Sequence, residues 1–188
     1  MGEFLMKTKK NKYKDEISRS MEWLSRKKNT IFIGQAVSYS GHAMSSTINS
    51  VPAKKKHELP VFEETQMGIA IGLGLSGFIP INIYPRFDFF ILSLNQFINH
   101  LDKLTEMSSN NFCSQVITRV AIGTKIPFSA GPQHTQNHSE AIKKMVTDIN
   151  VVDLKDPKKI FDEYRKAYER KDKKSTLMIE YGDFYATK

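Results

Sequence analysis

The chain has 188 residues, 40% of them hydrophobic, and a single cysteine, which suits one globular domain and excludes a disulfide framework or a four-Cys zinc module. No apolar run approaches the ~20 residues of a membrane span, and the amino terminus lacks the apolar core of a signal peptide. A soluble chain in a reducing, cytoplasmic setting is expected. The 28 Lys and Arg against 20 Asp and Glu leave a net charge of +8, which invites a nucleic-acid reading. The basic residues gather in three places, however: Lys7 to Lys14, Lys54-Lys55-Lys56, and Lys155 to Lys174. The last is interleaved with Asp156, Asp162, Glu163, Glu169 and Asp172, as on a solvated helix face. No nucleic-acid motif is present, so neither nucleic acid nor membrane is expected as a partner.

Residues 1–14 are predicted to form a basic, disordered tail and 15–188 the domain. From Tyr13 to Lys28, Ile17, Met21 and Leu24 recur at helical spacing. Thr30 to Ile33 is a short apolar β-type run closed by Gly34. Val37 to Lys56, rich in Ser and Asn, reads as a long loop, and such loops are commonly functional. Glu64 to Ser76 reads as a helix studded with Gly68, Ala70, Gly72 and Gly74, with Gly77 ending it. Phe78 to Tyr84 is an apolar strand, and Phe89 to Leu104 carries Leu92, Phe97, Ile98 and Leu101 at helical spacing. Gln115 to Ala121 is a further buried strand, followed by a polar loop to His138. Ser139 to Met145 is a helix, Asn150 to Val152 a strand, Pro157 opens a long charged helix, and Leu177 to Ile179 is the last strand. Strands alternating with helices, the strands short and of buried character, predict a three-layer α/β/α domain on a mostly parallel sheet.

Gly72-Leu73-Gly74-Leu75-Ser76-Gly77 matches G-x-G-x-x-G, but the dinucleotide fingerprint follows a strand and opens a helix. Here it closes a helix and a strand comes after, so nicotinamide binding is not expected. Cys113 has no identifiable activating base and reads as a small buried hydrophobe. His134 and His138 have the i, i+4 spacing of two metal ligands, yet their Gly/Pro-rich surroundings and the lack of a third ligand argue against a metal.

A longer pattern is more specific. Pro60 to Leu73, with Glu63 three residues after the proline and a glycine-studded helix ending in Gly77-Phe78-Ile79-Pro80, resembles the beta subunit of the pyruvate and branched-chain 2-oxo acid dehydrogenases. The resemblance is to the transketolase-like pyrimidine-binding domain of that family of thiamine diphosphate enzymes. It continues through Ile31 to Val37, Phe87-Asp88-Phe89, Asn95-Gln96-Phe97-Ile98-Asn99, Lys103, Met107-Ser108 and Gly131 to Gln136, and so runs in order from about Ile31 to Val152.

The resemblance implies a catalytic role for Glu63, whose carboxyl hydrogen-bonds the pyrimidine ring nitrogen so that the cofactor's own amino group can act as base. It implies Phe89, with Phe87 beside it, as the aromatic stacking on the pyrimidine, Leu92 near the cofactor, and His134 as the active-site histidine. On the residues alone, Glu63 is equally an ordinary carboxylate at a helix amino terminus, and Phe87 and Phe89 are equally core residues. The Gly-Asp-Gly…Asn signature that binds diphosphate and magnesium is absent from the sequence. The resemblance therefore implies a diphosphate-binding, alpha-type partner chain that holds the magnesium, in a hetero-oligomer or around a homodimer core. A transketolase-type carboligase and a non-catalytic assembly or regulatory subunit are the alternatives. Leu92 stands where the family often has Gln, and Gln35-Ala36 replaces its acidic pair.

Overall fold

Strands of five or six apolar residues without alternation belong in the middle of a sheet covered on both faces. In the computed structural model, which describes residues 12–40, 42, 44–125 and 128–187, β3 (Ile79–Tyr84) and β4 (Ile117–Ile122) are buried at every position. With β1 (Thr30–Gly34), β2 (Lys56–Glu58), β5 (Asn150–Asp153) and β6 (Thr176–Tyr181) they form one sheet in the order β2-β1-β3-β4-β6-β5. Every neighbouring pair is parallel.

One face carries α1 (Tyr13–Ser25) and α6 (Pro157–Glu169), which bury Ile17, Met21, Leu24, Ile160 and Tyr164. The other carries α2 (Glu63–Leu75), α3 (Phe87–Phe90) and α5 (Ser139–Met145), burying Met67, Ala70, Phe87, Phe90 and Ile142. The three-layer α/β/α architecture is as predicted, and the sheet is parallel throughout. The predicted basic tail falls largely on residues 1–11, outside the described residues, while Tyr13 and Lys14 open α1. No helix among the described residues is long and apolar enough to cross a membrane.

Local chemistry sets the element ends. Gly77 adopts φ 87°, its N–H bonds Gly74 O at 3.1 Å, and the Phe78 N–H bonds Leu73 O at 3.1 Å. That is a Schellman closure, which glycine permits at no steric cost. Asp156 caps α6 by accepting from Lys158 N at 3.0 Å, with Pro157 in the first helical position.

Three readings of the sequence need correction. The loop from Val37 to Lys56 is interrupted by short 3₁₀ turns at Ser45–Ile48 and Ala53–Lys55 and leads into β2. Lys56, His57 and Glu58 give no apolar signal because β2 is a three-residue edge strand, where charge is the ordinary protection. The helix expected over Phe89 to Leu104 is broken into α3, a 3₁₀ turn at Ile91–Ser93, a π-helical stretch at Asn95–Leu101 and a short α4 (Leu104–Met107). The wider winding keeps Phe97 and Leu101 in the core while presenting Asp102 to the loop before β5. Cys113 is exposed, not buried.

Asp102 is the main tether of that stretch. Its carboxylate accepts from the backbone N–H groups of Thr147, Asp148 and Ile149 at 2.8–3.0 Å and from Lys103 Nζ at 2.9 Å. Burial would push its pKa up, but Lys103 and the three N–H donors more than offset this and hold it at about 2. Because the folded value lies below the ordinary 3.8, the stabilisation is complete above pH ~4 and is lost as pH falls toward 2. Asp102→Asn is expected to lower stability at pH 7 by about 2 kcal/mol and to flatten the loss of stability between pH 4 and 2, as read by urea unfolding across that range.

Candidate functional site at the carboxyl ends of β1 and β3

β1 connects to β2 on one side of the sheet, over the α1 face, whereas β3 connects toward β4 on the other side. Their carboxyl ends therefore flank a topological switch point, the place where open α/β sheets bind ligands. Gly34 to Ser38, the start of α2 and the end of β3 meet there, and the turn into α3 carries the loop from Gly131 to His138 beside them, over the end of β4.

Glu63 is the first residue of α2 and is 3% exposed. Its backbone carbonyl accepts from Tyr84 Oη at 3.0 Å, which ties the helix start to the end of β3. One turn on, buried Gln66 donates to Asn82 Oδ1 at 2.7 Å and to Ile83 O at 3.0 Å. The strands pass so closely that a Cβ on Gly34 would lie 2.2 Å from Ile83 O, so glycine is required at that point. Of the Glu63 side chain, Oε1 accepts from Gln35 Nε2 at 3.0 Å. Among the described residues Gln35 is the one donor to this carboxylate, which leaves Oε2 an acceptor with capacity for a ligand.

Gln35 is itself positioned by a carboxylate the sequence did not single out. Glu58, at the end of β2, accepts from three successive backbone N–H groups, Ala36 at 2.5 Å and Val37 and Ser38 at 2.8 Å. Ala36 takes the left-handed φ of 53° that turns these N–H groups onto one anion. Glu58→Ala is expected to release this turn and reduce any function that depends on Glu63, while leaving the melting temperature within a few degrees. The corresponding loss of protection at Ala36, Val37 and Ser38 is measurable by amide hydrogen exchange. Glu64, next in sequence, is exposed and bonded by Asn95 and then Gln96, which lower its pKa.

The aromatic pair divides. Phe87 is fully buried, packed on Phe90 and edge-on to His138 at 5.5 Å. Phe89 is half-buried and meets His134 edge-on at 5.3 Å. The loop carrying His134 is held from two sides. Asp88 Oδ1 accepts from Gln136 Nε2 at 2.9 Å, and the loop crosses β4's end so tightly that a Cβ on Gly123 would lie 1.6 Å from His134 O. Two buried polar atoms beside it, Asp88 Oδ2 and His138 Nε2, have no partner among the described residues. Leu92 is 63% exposed on the 3₁₀ turn after α3. The structure thus brings Phe89 and His134 together, sets Glu63 against Gln35, sinks Phe87 into the core and leaves Leu92 on the surface.

In the chemistry of its donors, a carboxyl oxygen of Glu63 without a donor among the described residues and the half-buried ring of Phe89 suit a pyrimidine ring, which needs a carboxyl and an aromatic neighbour. Among the described residues no three His, Cys, Asp or Glu side chains converge to hold a metal.

No curated protein matches the chain. Among solved structures it is similar to one titled "Split gene transketolase, inactive beta4 tetramer", with a TM-score of 0.60 and 14% identity, a likeness of fold. The alignment covers 90% of this chain and 51% of that one, so the chain spans about half the length of the protein it matches. The family model described as "Transketolase, pyrimidine binding domain" matches residues 18–183, and the chain belongs to that family, the pyrimidine-binding domains of thiamine diphosphate enzymes.

Proposed function

We propose that the chain is the pyrimidine-binding subunit of a cytoplasmic thiamine-diphosphate-dependent enzyme acting on 2-oxo acids as a dehydrogenase or decarboxylase. A partner chain binds the cofactor's diphosphate through magnesium. The observation that carries the reading is Glu63, a carboxylate 3% exposed at the switch point, one oxygen held by Gln35 and the other without a donor among the described residues. When bound, thiamine diphosphate would supply an acidic thiazolium C–H and with it a carbon nucleophile suited to a substrate carbonyl.

The chain's own residues bind and move protons. Glu63 Oε2 hydrogen-bonds the pyrimidine ring nitrogen and shares a proton with it. Gln35 keeps the carboxylate from turning away, and burial keeps water from competing for it. Phe89 offers its open ring face to the pyrimidine, a contact worth ~1 kcal/mol beyond area burial, while Phe87 supports the turn from beneath. His134 moves a proton to or from the substrate through its imidazole. Leu92 adds an exposed apolar contact toward the cofactor or the partner. On the outer face of α2, a Cβ on Gly68 or Gly72 would touch nothing within 4 Å, and Ile69 and Val61 are exposed, which supports a covering chain.

A transketolase-type carboligase is the second reading, favoured by the family match, and it assigns Glu63 and Phe89 the same roles. Calorimetric titration with thiamine diphosphate and magnesium tests the division of the site. Binding is expected only when the chain is mixed with a partner carrying the Gly-Asp-Gly…Asn signature. Tight binding by the isolated chain, or none by the mixture, overturns the reading; the latter leaves a non-catalytic assembly or regulatory subunit.

A further inference from the structure

The excess positive charge is unevenly matched. Along α5, α6 and the turn before β6, six ion pairs engage five of the cations: Lys143 with Glu140 and Asp153, Arg165 with Asp162, Lys166 with Glu163, Arg170 with Asp172, and Lys174 with Asp148. At the amino ends of β1 and β3, opposite the Glu63 end of the sheet, the balance fails. A groove of about 590 Å³ lies there between the end of α1, the 3₁₀ turn at Ala53–Lys55 and Phe78. Arg26, Lys27, Lys28, Lys54, Lys55 and His57 line it, and no acidic residue does. Arg26 reaches Glu22, but among the described residues the four lysines have no carboxylate partner.

Two of these lysines are held in place. Lys55 Nζ donates to Lys27 O and to Thr30 Oγ1 at 3.1 Å, acceptors that are both neutral. Burial and the neighbouring Lys54 lower its pKa, a cost that a bound anion removes. Lys27 Nζ sits 3.9 Å from the centroid of the Trp23 ring. Between the cations the groove has an apolar lining of Ile31, Pro52 and Phe78, the last 41% exposed.

We propose that this groove is a second ligand site, for a phosphate-bearing small molecule with an aromatic body, of the nucleoside diphosphate type. The phosphates lie against Lys28, Lys54 and Lys55 and the body against Phe78, Ile31 and Pro52. The volume is that of a small-molecule site. A nucleic-acid strand needs a basic stripe that continues along the surface, and on the neighbouring α6 Arg165 and Lys166 are already paired with Asp162 and Glu163. The site is independent of the proposed cofactor role, because it stands at the opposite end of the sheet from Glu63.

Trp23 is the chain's one tryptophan, so its fluorescence reports on Lys27 and the groove. Adenosine diphosphate and inorganic pyrophosphate are titrated into the full chain at constant ionic strength. Saturable one-site binding is expected, the nucleotide about fivefold tighter than pyrophosphate and the difference lost in Phe78→Ala. Lys28→Glu/Lys54→Glu changes two exposed side chains, leaves the circular dichroism spectrum intact and weakens binding at least about tenfold, whereas Lys28→Arg/Lys54→Arg retains it. Glu63→Gln leaves the affinity unchanged, so failure here and failure of the cofactor reading are separable. Absence of saturation, an equal response to sodium chloride, or wild-type affinity in the double Glu variant overturns the proposal. So does tighter binding through these lysines of a single-stranded oligonucleotide or of phosphatidylserine vesicles.

Discussion

Arg119→Met is expected to destabilise the domain by about 3–5 kcal/mol, the largest stability effect of any single substitution considered. Arg119 on β4 and Glu180 on β6 are both fully buried in the middle of the sheet. Arg119 donates to the carboxylate through Nε at 2.6 Å and Nη2 at 3.0 Å, and Nη2 also reaches Thr47 Oγ1 at 3.0 Å. Tyr164 and Tyr185 donate to the same carboxylate. Burial opposes the guanidinium charge, yet the facing Glu180 holds its pKa above the ordinary value. Methionine fills similar space but leaves Glu180 a buried charge without a counterion, so the loss exceeds the worth of the pair itself. Arg119→Met/Glu180→Gln is expected to regain a large part of it, since an uncharged pair imposes no such penalty. Denaturation midpoints of the two variants check this; a single variant within about 1 kcal/mol of wild type contradicts it.

Glu63→Gln carries the largest functional effect. Glutamine keeps the size of the side chain and both polar atoms near Gln35, so folding and assembly with the partner are expected to survive. It has no carboxyl proton to share, and turnover in the reconstituted complex is expected to fall at least about 10²–10³-fold, the scale for a positioned acid–base group. Substrate KM should move far less than kcat. Undiminished turnover would remove Glu63 from the chemistry. Glu64→Gln, on the exposed neighbour, serves as the control and is expected to change turnover little.

The core of this fold is readable because its strands are nearly continuous apolar runs and two helix ends, the Gly77 closure of α2 and the Asp156-Pro157 start of α6, have known chemistry. β2 is not, for Lys56-His57-Glu58 is stabilised by pairing with β1 alone and buries almost nothing. That omission hid Glu58, whose partners are backbone N–H groups and leave no mark in a sequence. Phe87 and Phe89 could not be told apart because both are aromatic. Two residues along a helical turn, they point to nearly opposite sides, and only packing decides which one keeps an open face. Glu63 and Glu64 separate for the same reason, about 100° apart on α2, one toward the sheet and one toward solvent. In the sequence Gln35 stands only as a departure from an acidic pair; in the structure it is the hydrogen-bond partner of Glu63.

The most direct test of Glu63's role is the exchange of the thiazolium C2 proton for deuterium in the complex loaded with thiamine diphosphate and magnesium, quenched with acid and read by NMR. Exchange is expected to be at least about 100-fold slower in Glu63→Gln than in wild type, with cofactor affinity reduced less than about tenfold. Equal exchange rates in the two complexes would contradict the assignment.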